Sequence, residues 1–190
     1  DGARSLRPYQ LEGLNWLRLN WYLGRSVILG DEMGLGKTAQ SLALLQSLRK
    51  FEGVEGPFLI IAPLSTLPHW EREIALWTDM YAITYHGSEQ ARGVIKKYDW
   101  KLGAPKLDAN GAKYEYRFHV VLSTYEMVVA DPEPLMAVRW AHMVVDEGHR
   151  LKNRNSKALE AMRALKTRRK LVLTGTPLQN HVAELWSILN

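Results

Sequence analysis

Six short runs rich in Val, Ile and Leu recur along this chain without polar alternation, separated by stretches with helical spacing. The runs are Ser26–Leu29, Phe58–Ala62, Ala82–Tyr85, Val120–Ser123, Met143–Val145 and Leu171–Leu173. A strand with one face in water alternates apolar and polar residues, whereas a strand covered on both faces does not. The stretches Pro8–Asn20, Lys37–Lys50, Leu67–Trp77, Ser88–Tyr98, Ser156–Leu165 and Val182–Leu189 read as helices. Thr66, with Pro68 in the first turn, is expected to cap the third of these, and Asn155 or Ser156 the fifth. The alternation predicts an α/β fold with a mainly parallel central sheet and helices on both faces. Ligands of such sheets bind beyond the carboxyl ends of the strands, so motifs directly after strands carry the most weight.

The 190 residues suit one domain. At 46% hydrophobic and 24% charged, the composition is that of a folded globular chain and excludes a disordered one. Apolar stretches such as Phe58–Leu64 fall far short of the roughly 20 residues of a membrane-spanning helix. No basic-then-apolar leader opens the sequence. The absence of cysteine excludes disulfide frameworks and thiolate metal sites. The first residue is Asp1 rather than Met, and we expect a piece of a longer protein. Residues 139–170 hold ten Lys and Arg against three acids, a local charge of +7. That suits a polyanion, although on charge alone a solvated face of one helix and two loops accounts for it better. The polar, Gly-containing stretch Asp99–Arg117 breaks the rhythm and is expected to be a surface insertion with a small hairpin at Ala109–Gly111. No histidine pair has metal-site spacing.

The run Ser26–Leu29 leads into Gly30-Asp31-Glu32-Met33-Gly34-Leu35-Gly36-Lys37-Thr38 and then a helical pattern. This is the strand–loop–helix setting of a phosphate-binding Walker A loop. Gly34 and Gly36 let backbone N–H groups approach phosphate oxygens, and the following helix adds its positive N-terminal dipole end. Lys37 would meet the β- and γ-phosphates, and the Thr38 hydroxyl would ligate Mg²⁺. The strict pattern G-x-x-x-x-G-K-[ST] has its first glycine where Asp31 stands. A glycine-rich turn before a helix is the plain alternative.

A second signal lies in Met143–Val145, which runs into Asp146-Glu147-Gly148-His149. An acid at the end of a hydrophobic strand beside a phosphate loop holds Mg²⁺ directly or through water, the role expected of Asp146. Glu147 can orient or deprotonate an attacking water. His149 reads as a relay between nucleotide and a neighbouring segment, with a satisfied near-core polar residue as the alternative.

Four motifs occur in order: Leu6-Arg7-Pro8-Tyr9-Gln10-Leu11-Glu12-Gly13, the loop 31–38, Asp146-Glu147-Gly148-His149-Arg150-Leu151-Lys152-Asn153, and Leu173-Thr174-Gly175-Thr176-Pro177-Leu178-Gln179-Asn180. Together they resemble the first ATPase lobe of SWI/SNF-type chromatin-remodelling translocases, a branch of helicase superfamily two. Ile61-Ala62-Pro63-Leu64-Ser65-Thr66, Trp70-Glu71-Arg72-Glu73 and Arg117-Phe118-His119 are similar to the chromodomain-helicase-DNA-binding subfamily. The family also has Asp in place of the first Walker glycine, and Gly148 stands where many members have Ala.

The resemblance implies a RecA-like three-layer fold, with residues 1–190 forming lobe one of two. It implies ATP and Mg²⁺ as cofactors, and as partners double-stranded DNA, nucleosomes and a second RecA-like lobe, in the nucleus and away from membranes. It assigns nucleotide contacts to Arg7, Gln10 (as adenine reader), Asp31, Gly34, Leu35, Gly36, Lys37 and Thr38. Metal ligation falls to Thr38 and Asp146, and catalysis to Lys37, Asp146 and Glu147. DNA-backbone contacts fall to Ser65, Thr66, Trp70, Ser123, Thr124, Arg150, Lys152 and Asn153, with packing against the sheet an equal alternative for Trp70. His149, Thr174, Gly175 and Thr176 would couple nucleotide state to DNA grip. The arginines of the second lobe lie outside 1–190, so this fragment is expected to bind nucleotide weakly and hydrolyse it poorly. A strand-separating helicase or RNA-dependent ATPase, and a non-hydrolysing nucleotide-binding scaffold, are the rival readings.

Overall fold

A computed structural model describes residues 5–101, 106–108, 111–113, 115–151, 156–175, 186 and 189. In chain order the helices and strands are α1 (Pro8–Tyr22), β1 (Val27–Leu29), α2 (Lys37–Glu52), β2 (Phe58–Ile61), α3 (Leu67–Trp77), β3 (Ala82–Tyr85) and α4 (Glu89–Ile95). They continue with β4 (Lys106–Asp108), β5 (Gly111–Lys113), β6 (Val120–Ser123), α5 (Tyr125–Ala130), α6 (Pro132–Met136), β7 (His142–Val145), α7 (Ser156–Ala164) and β8 (Lys170–Leu173). Six strands form one sheet in the order β1-β8-β7-β2-β6-β3, every pairing parallel. The fold is the expected α/β, RecA-like three-layer arrangement.

The unalternating apolar runs are explained by what covers them. Successive residues of a strand face opposite sides, and here each side meets helices. Leu59, Ile61, Val121, Met143, Val145 and Val172 pack with Val128, Leu135 and Met162 from α5, α6 and α7. Their neighbours Phe58, Ile60, Val120, Leu122, Val144 and Leu171 pack with Leu17, Leu42, Leu45, Trp70 and Ile74 from α1, α2 and α3. The central strands β2, β6, β7 and β8 are buried along their whole length.

Two expectations change. Thr66 does not cap α3; its backbone is already helical and its hydroxyl donates back to the Pro63 carbonyl at 2.8 Å. The insertion begins later than the composition suggests, because α4 runs on through a π turn (Lys96–Trp100) that delivers Trp100 to the core. There the indole packs edge-on against Tyr85 and Phe118, each with centroids 5.0 Å away. Beyond it β4 and β5 pair antiparallel, Asp108 opposite Gly111, as a hairpin at the expected place. The expected cap Asn155, and the expected helix Val182–Leu189 apart from Trp186 and Leu189, lie outside the described residues. Among the described residues no helix is long and apolar enough to cross a membrane.

Candidate nucleotide site

The carboxyl ends of β1, β8 and β7 are neighbours in the sheet, and from them emerge three of the four motifs found in the sequence. After β1 the chain forms the loop 30–36 and enters α2. Gly34 (φ 83°) and Gly36 (φ 80°) both take the left-handed backbone region, which L side chains rarely adopt. At Gly36 a Cβ would in addition overlap the Gln10 side-chain nitrogen. Gln10 is buried at the start of α1, its Nε2 donating to the Leu35 carbonyl at 3.0 Å and its Oε1 accepting from the Arg7 backbone at 2.8 Å. The Tyr9 hydroxyl, which sequence reasoning did not single out, donates to the same Leu35 carbonyl at 3.2 Å. The motif at residues 6–13 is thus fastened to the phosphate loop, with the Arg7 side chain left exposed.

Lys37 Nζ donates to the Asp31 and Glu32 carbonyls at 2.7 and 2.9 Å, which pins the ammonium inside the loop. Thr38 follows in the first turn of α2, where unpaired N–H groups and the helix dipole favour an anion. Beside the loop, Tyr9, Glu12, Gly13 and Trp16 line one face of α1 and, with Gly30, Asp31 and Leu35, enclose a cavity of about 620 Å³. Its size is within the range of small-molecule pockets.

Two strands away, Asp146 follows β7 with its backbone N–H bonded to the Ile61 carbonyl at 2.8 Å. Both carboxylate oxygens accept hydrogen bonds: Oδ2 from Trp70 Nε1 and Oδ1 from the Glu147 N–H, each at 2.9 Å. Burial pushes the Asp146 carboxyl up; the Trp70 hydrogen bond opposes that, the Glu147 charge adds to it, and the Lys37 charge opposes it. Asp146 therefore lies within electrostatic reach of Lys37. Glu147 has φ 53°, the single non-glycine residue with positive φ among the described residues. Such backbone strain costs about 1–3 kcal/mol and collects at functional sites.

After β8, the Thr174 N–H donates to the Leu29 carbonyl at 3.2 Å, so this segment lies along β1. A Cβ on Gly175 would stand 2.5 Å from Met33 Cγ and 3.7 Å from Lys37 Nζ, so the glycine abuts the loop. His149 Nδ1 lies 3.2 Å from Glu147 Oε2 and 3.2 Å from Thr174 Oγ1, bridging the segments after β7 and β8. Both readings of His149, relay and satisfied polar residue, place it in such contacts.

The DNA-contact expectations divide. Ser65 is exposed and Thr66 half-buried in the 3₁₀ turn Leu64–Thr66 after β2, and Arg150 is exposed. Trp70 is 0% exposed, and its indole serves the core and Asp146, so the DNA assignment is corrected in favour of packing. Ser123 and Thr124 are also corrected. Both are fully buried, the Ser123 hydroxyl donating to the Tyr85 carbonyl at 2.9 Å and Thr124 Oγ1 accepting from the Met127 N–H at 3.3 Å as the cap of α5. Lys152, Asn153 and Thr176 lie outside the described residues.

The donor set at Thr38 and Asp146, a hydroxyl and a carboxylate with a second carboxylate adjoining, fits a small hard cation. Among the described residues no group of three or more His, Asp or Glu could hold a metal, so phosphate and water oxygens would complete the shell.

The sequence pattern of the SNF2-related domain matches residues 9–190. Chromodomain-helicase-DNA-binding protein 6 of Rattus norvegicus is 52% identical over 190 residues, covering 99% of this chain and 7% of that protein. Chromodomain-helicase-DNA-binding protein 7 of Homo sapiens is 49% identical over 186 residues, 98% of this chain and 6% of that protein. The chain thus spans well under a tenth of the length of these relatives. The Sulfolobus solfataricus SWI2/SNF2 ATPase core in complex with dsDNA superposes with a TM-score of 0.78 at 32% identity, covering 98% of this chain and 35% of that one. With an all-parallel sheet carrying the glycine-rich loop, the acidic pair and Thr174-Gly175 at three adjoining strand ends, and a family match over nearly its whole length, the chain belongs to the SNF2-related domain family, as an ATPase lobe homologous to the chromodomain-helicase-DNA-binding proteins.

Proposed function

We propose that this chain is the nucleotide-binding lobe of an ATP-dependent translocase that moves on double-stranded DNA and shifts nucleosomes in the nucleus. The observation that carries the reading is the convergence of Lys37, Asp146 and Gly175 at the neighbouring ends of β1, β7 and β8. The loop 30–38 cradles the phosphates through its N–H groups and Lys37, and the α1 cavity beside Gln10 and Tyr9 takes the base. Thr38 and Asp146 hold Mg²⁺, which supplies charge neutralisation at the β- and γ-phosphates. Glu147 orients the attacking water and accepts its proton. His149 and Thr174 carry the state of that carboxylate to the segment after β8. Ser65, Thr66 and Arg150 face the DNA backbone, a contact type without sequence preference. The Sulfolobus solfataricus neighbour is an ATPase core in complex with dsDNA, which supports duplex DNA as the track.

An arginine finger from a second lobe is worth about 10³–10⁵ in rate, so the 190-residue chain alone binds nucleotide and turns it over slowly. The deciding measurement is fluorescent-ATP binding to residues 1–190, together with ATPase rates of a longer protein containing them. Duplex DNA, nucleosomes and RNA are compared as stimulants. Binding abolished by Lys37→Ala, and stimulation by duplex DNA and nucleosomes over RNA, support the reading. Unchanged nucleotide affinity in Lys37→Ala overturns the site, and RNA-selective stimulation overturns the substrate.

A further inference from the structure

Asp146 is gripped from two directions by aromatic donors that the nucleotide chemistry does not itself require. Trp70 Nε1 reaches its Oδ2 at 2.9 Å, and the Tyr125 hydroxyl donates to its backbone carbonyl. The two aromatics come from different parts of the sheet. Trp70 lies one turn into α3, directly after the strand-end segment of β2, while Tyr125 opens α5 directly after β6. Both rings are buried, at 0% and 6% exposure, among the hydrophobic clusters on opposite faces of the sheet.

An indole held this way has little freedom, and it carries a single donor. Placing an N–H on Oδ2, opposite the Glu147 N–H on Oδ1, fixes the rotation of the carboxylate about its Cβ–Cγ bond. A carboxylate free to rotate would present its lone pairs to a cation only part of the time. One locked by donors on both oxygens presents them in one direction. Outer-shell hydrogen bonds of this type orient metal ligands, and losing one typically costs 10–100-fold in metal affinity.

We infer that Trp70 is a positioning residue for the metal: its indole N–H aims the Asp146 carboxylate at the Mg²⁺ that accompanies the nucleotide, linking α3 to the cofactor. The inference rests on the nucleotide reading above and adds to it a residue that binds neither phosphate nor metal. It also connects α3 to the candidate metal site. Ser65 and Thr66 sit at one end of a continuous 3₁₀-to-α segment, and Trp70 projects from its first turn onto the metal ligand.

The test is the affinity of residues 1–190 for a fluorescent ATP analogue, measured in Mg²⁺ and in EDTA, for wild type and Trp70→Phe. Phe keeps an aromatic ring at the site and removes the donor. The expected result is a loss of about tenfold in the Mg²⁺-dependent part of the affinity, with the EDTA affinity within about twofold of wild type. A merely structural tryptophan would lower both affinities together. Should Trp70→Phe fail to fold by circular dichroism, benzothienylalanine at position 70 keeps the bicyclic shape without the N–H and is measured in the same way. Equal Mg²⁺ dependence in wild type and the donor-free variant overturns the inference alone. A wild-type chain that binds the analogue no better in Mg²⁺ than in EDTA overturns the metal reading and the inference with it.

Discussion

His149 and Thr174 meet across the strand ends of β7 and β8, imidazole Nδ1 to hydroxyl Oγ1 at 3.2 Å, and the same nitrogen is 3.2 Å from the Glu147 carboxylate. One ring therefore touches both the candidate catalytic base and the segment that adjoins Lys37. Removing either partner should cost about 1 kcal/mol, the usual net worth of such a bond. Residues in one network are not additive. Denaturant unfolding of His149→Ala, Thr174→Val and the double variant should therefore show a double loss smaller than the two single losses combined. Strict additivity would mean that the two side chains act independently.

Glu147 holds a left-handed backbone that glycine would adopt freely (φ 53°). The strain persists because its N–H is bound by Asp146 Oδ1 and its carbonyl accepts from the Arg150 N–H at 2.9 Å. Glu147→Gly should raise stability by about 1 kcal/mol while hydrolysis in a longer parent protein falls to background. Glu147→Gln, which keeps the strain, should lose hydrolysis without the stability gain and retain nucleotide binding. Melting temperature paired with ATPase rate separates the two effects.

Gly36 answers two demands at once, a left-handed φ of 80° and contact with the buried Gln10 amide. Alanine there meets both penalties: about 1–2 kcal/mol for the backbone, and displacement of Gln10 from its bonds to Leu35 and Arg7. Gly36→Ala should lower the melting temperature and weaken nucleotide binding. Gly34→Ala, where a Cβ would meet nothing within 4 Å, should show the backbone cost alone. Equal behaviour of the two variants would refute a role for Gln10 in shaping the loop.

The six strands were legible because a sheet covered on both faces leaves an unmistakable composition: β2 reads as an uninterrupted apolar run, and β6 and β7 are apolar apart from Ser123 and His142 at their ends. The glycine-rich loop after β1 and the acidic pair after β7 were legible as strand-end motifs because each is local in sequence. What was not legible depended on contacts between distant segments. Trp70 on an amphipathic helix looks the same whether its ring meets DNA or the sheet, and only the fold brings it to Asp146, 76 positions away. Ser123 and Thr124 look like surface hydroxyls, yet β6 is a central strand and α5 closes over its end. The short helices α5 and α6 were hidden by their brevity and by Pro132 and Pro134, which in isolation signal a turn.

His142 makes the fold sensitive to acid. It is buried at the start of β7, its ring stacked on Trp21 at 5.5 Å with Nδ1 3.2 Å from the Met143 carbonyl. Burial lowers its pKa to about 4; the backbone bond opposes that change, and the Arg169 charge adds to it. A folded-state pKa below the unfolded value of about 6.5 means that only the unfolded chain takes up a proton between these limits. The stability that neutral His142 contributes is therefore complete above about pH 6.5 and is lost as pH falls toward about 4. The loss amounts to a few kcal/mol, since each pH unit between those limits is worth roughly 1.4 kcal/mol. His142→Phe retains an aromatic ring against Trp21 without a titrating group, so its unfolding free energy should fall less steeply from about pH 6.5 to about 4 than that of wild type. Parallel pH profiles for the two proteins would show that His142 is protonated equally in the folded and unfolded chains, in conflict with its burial.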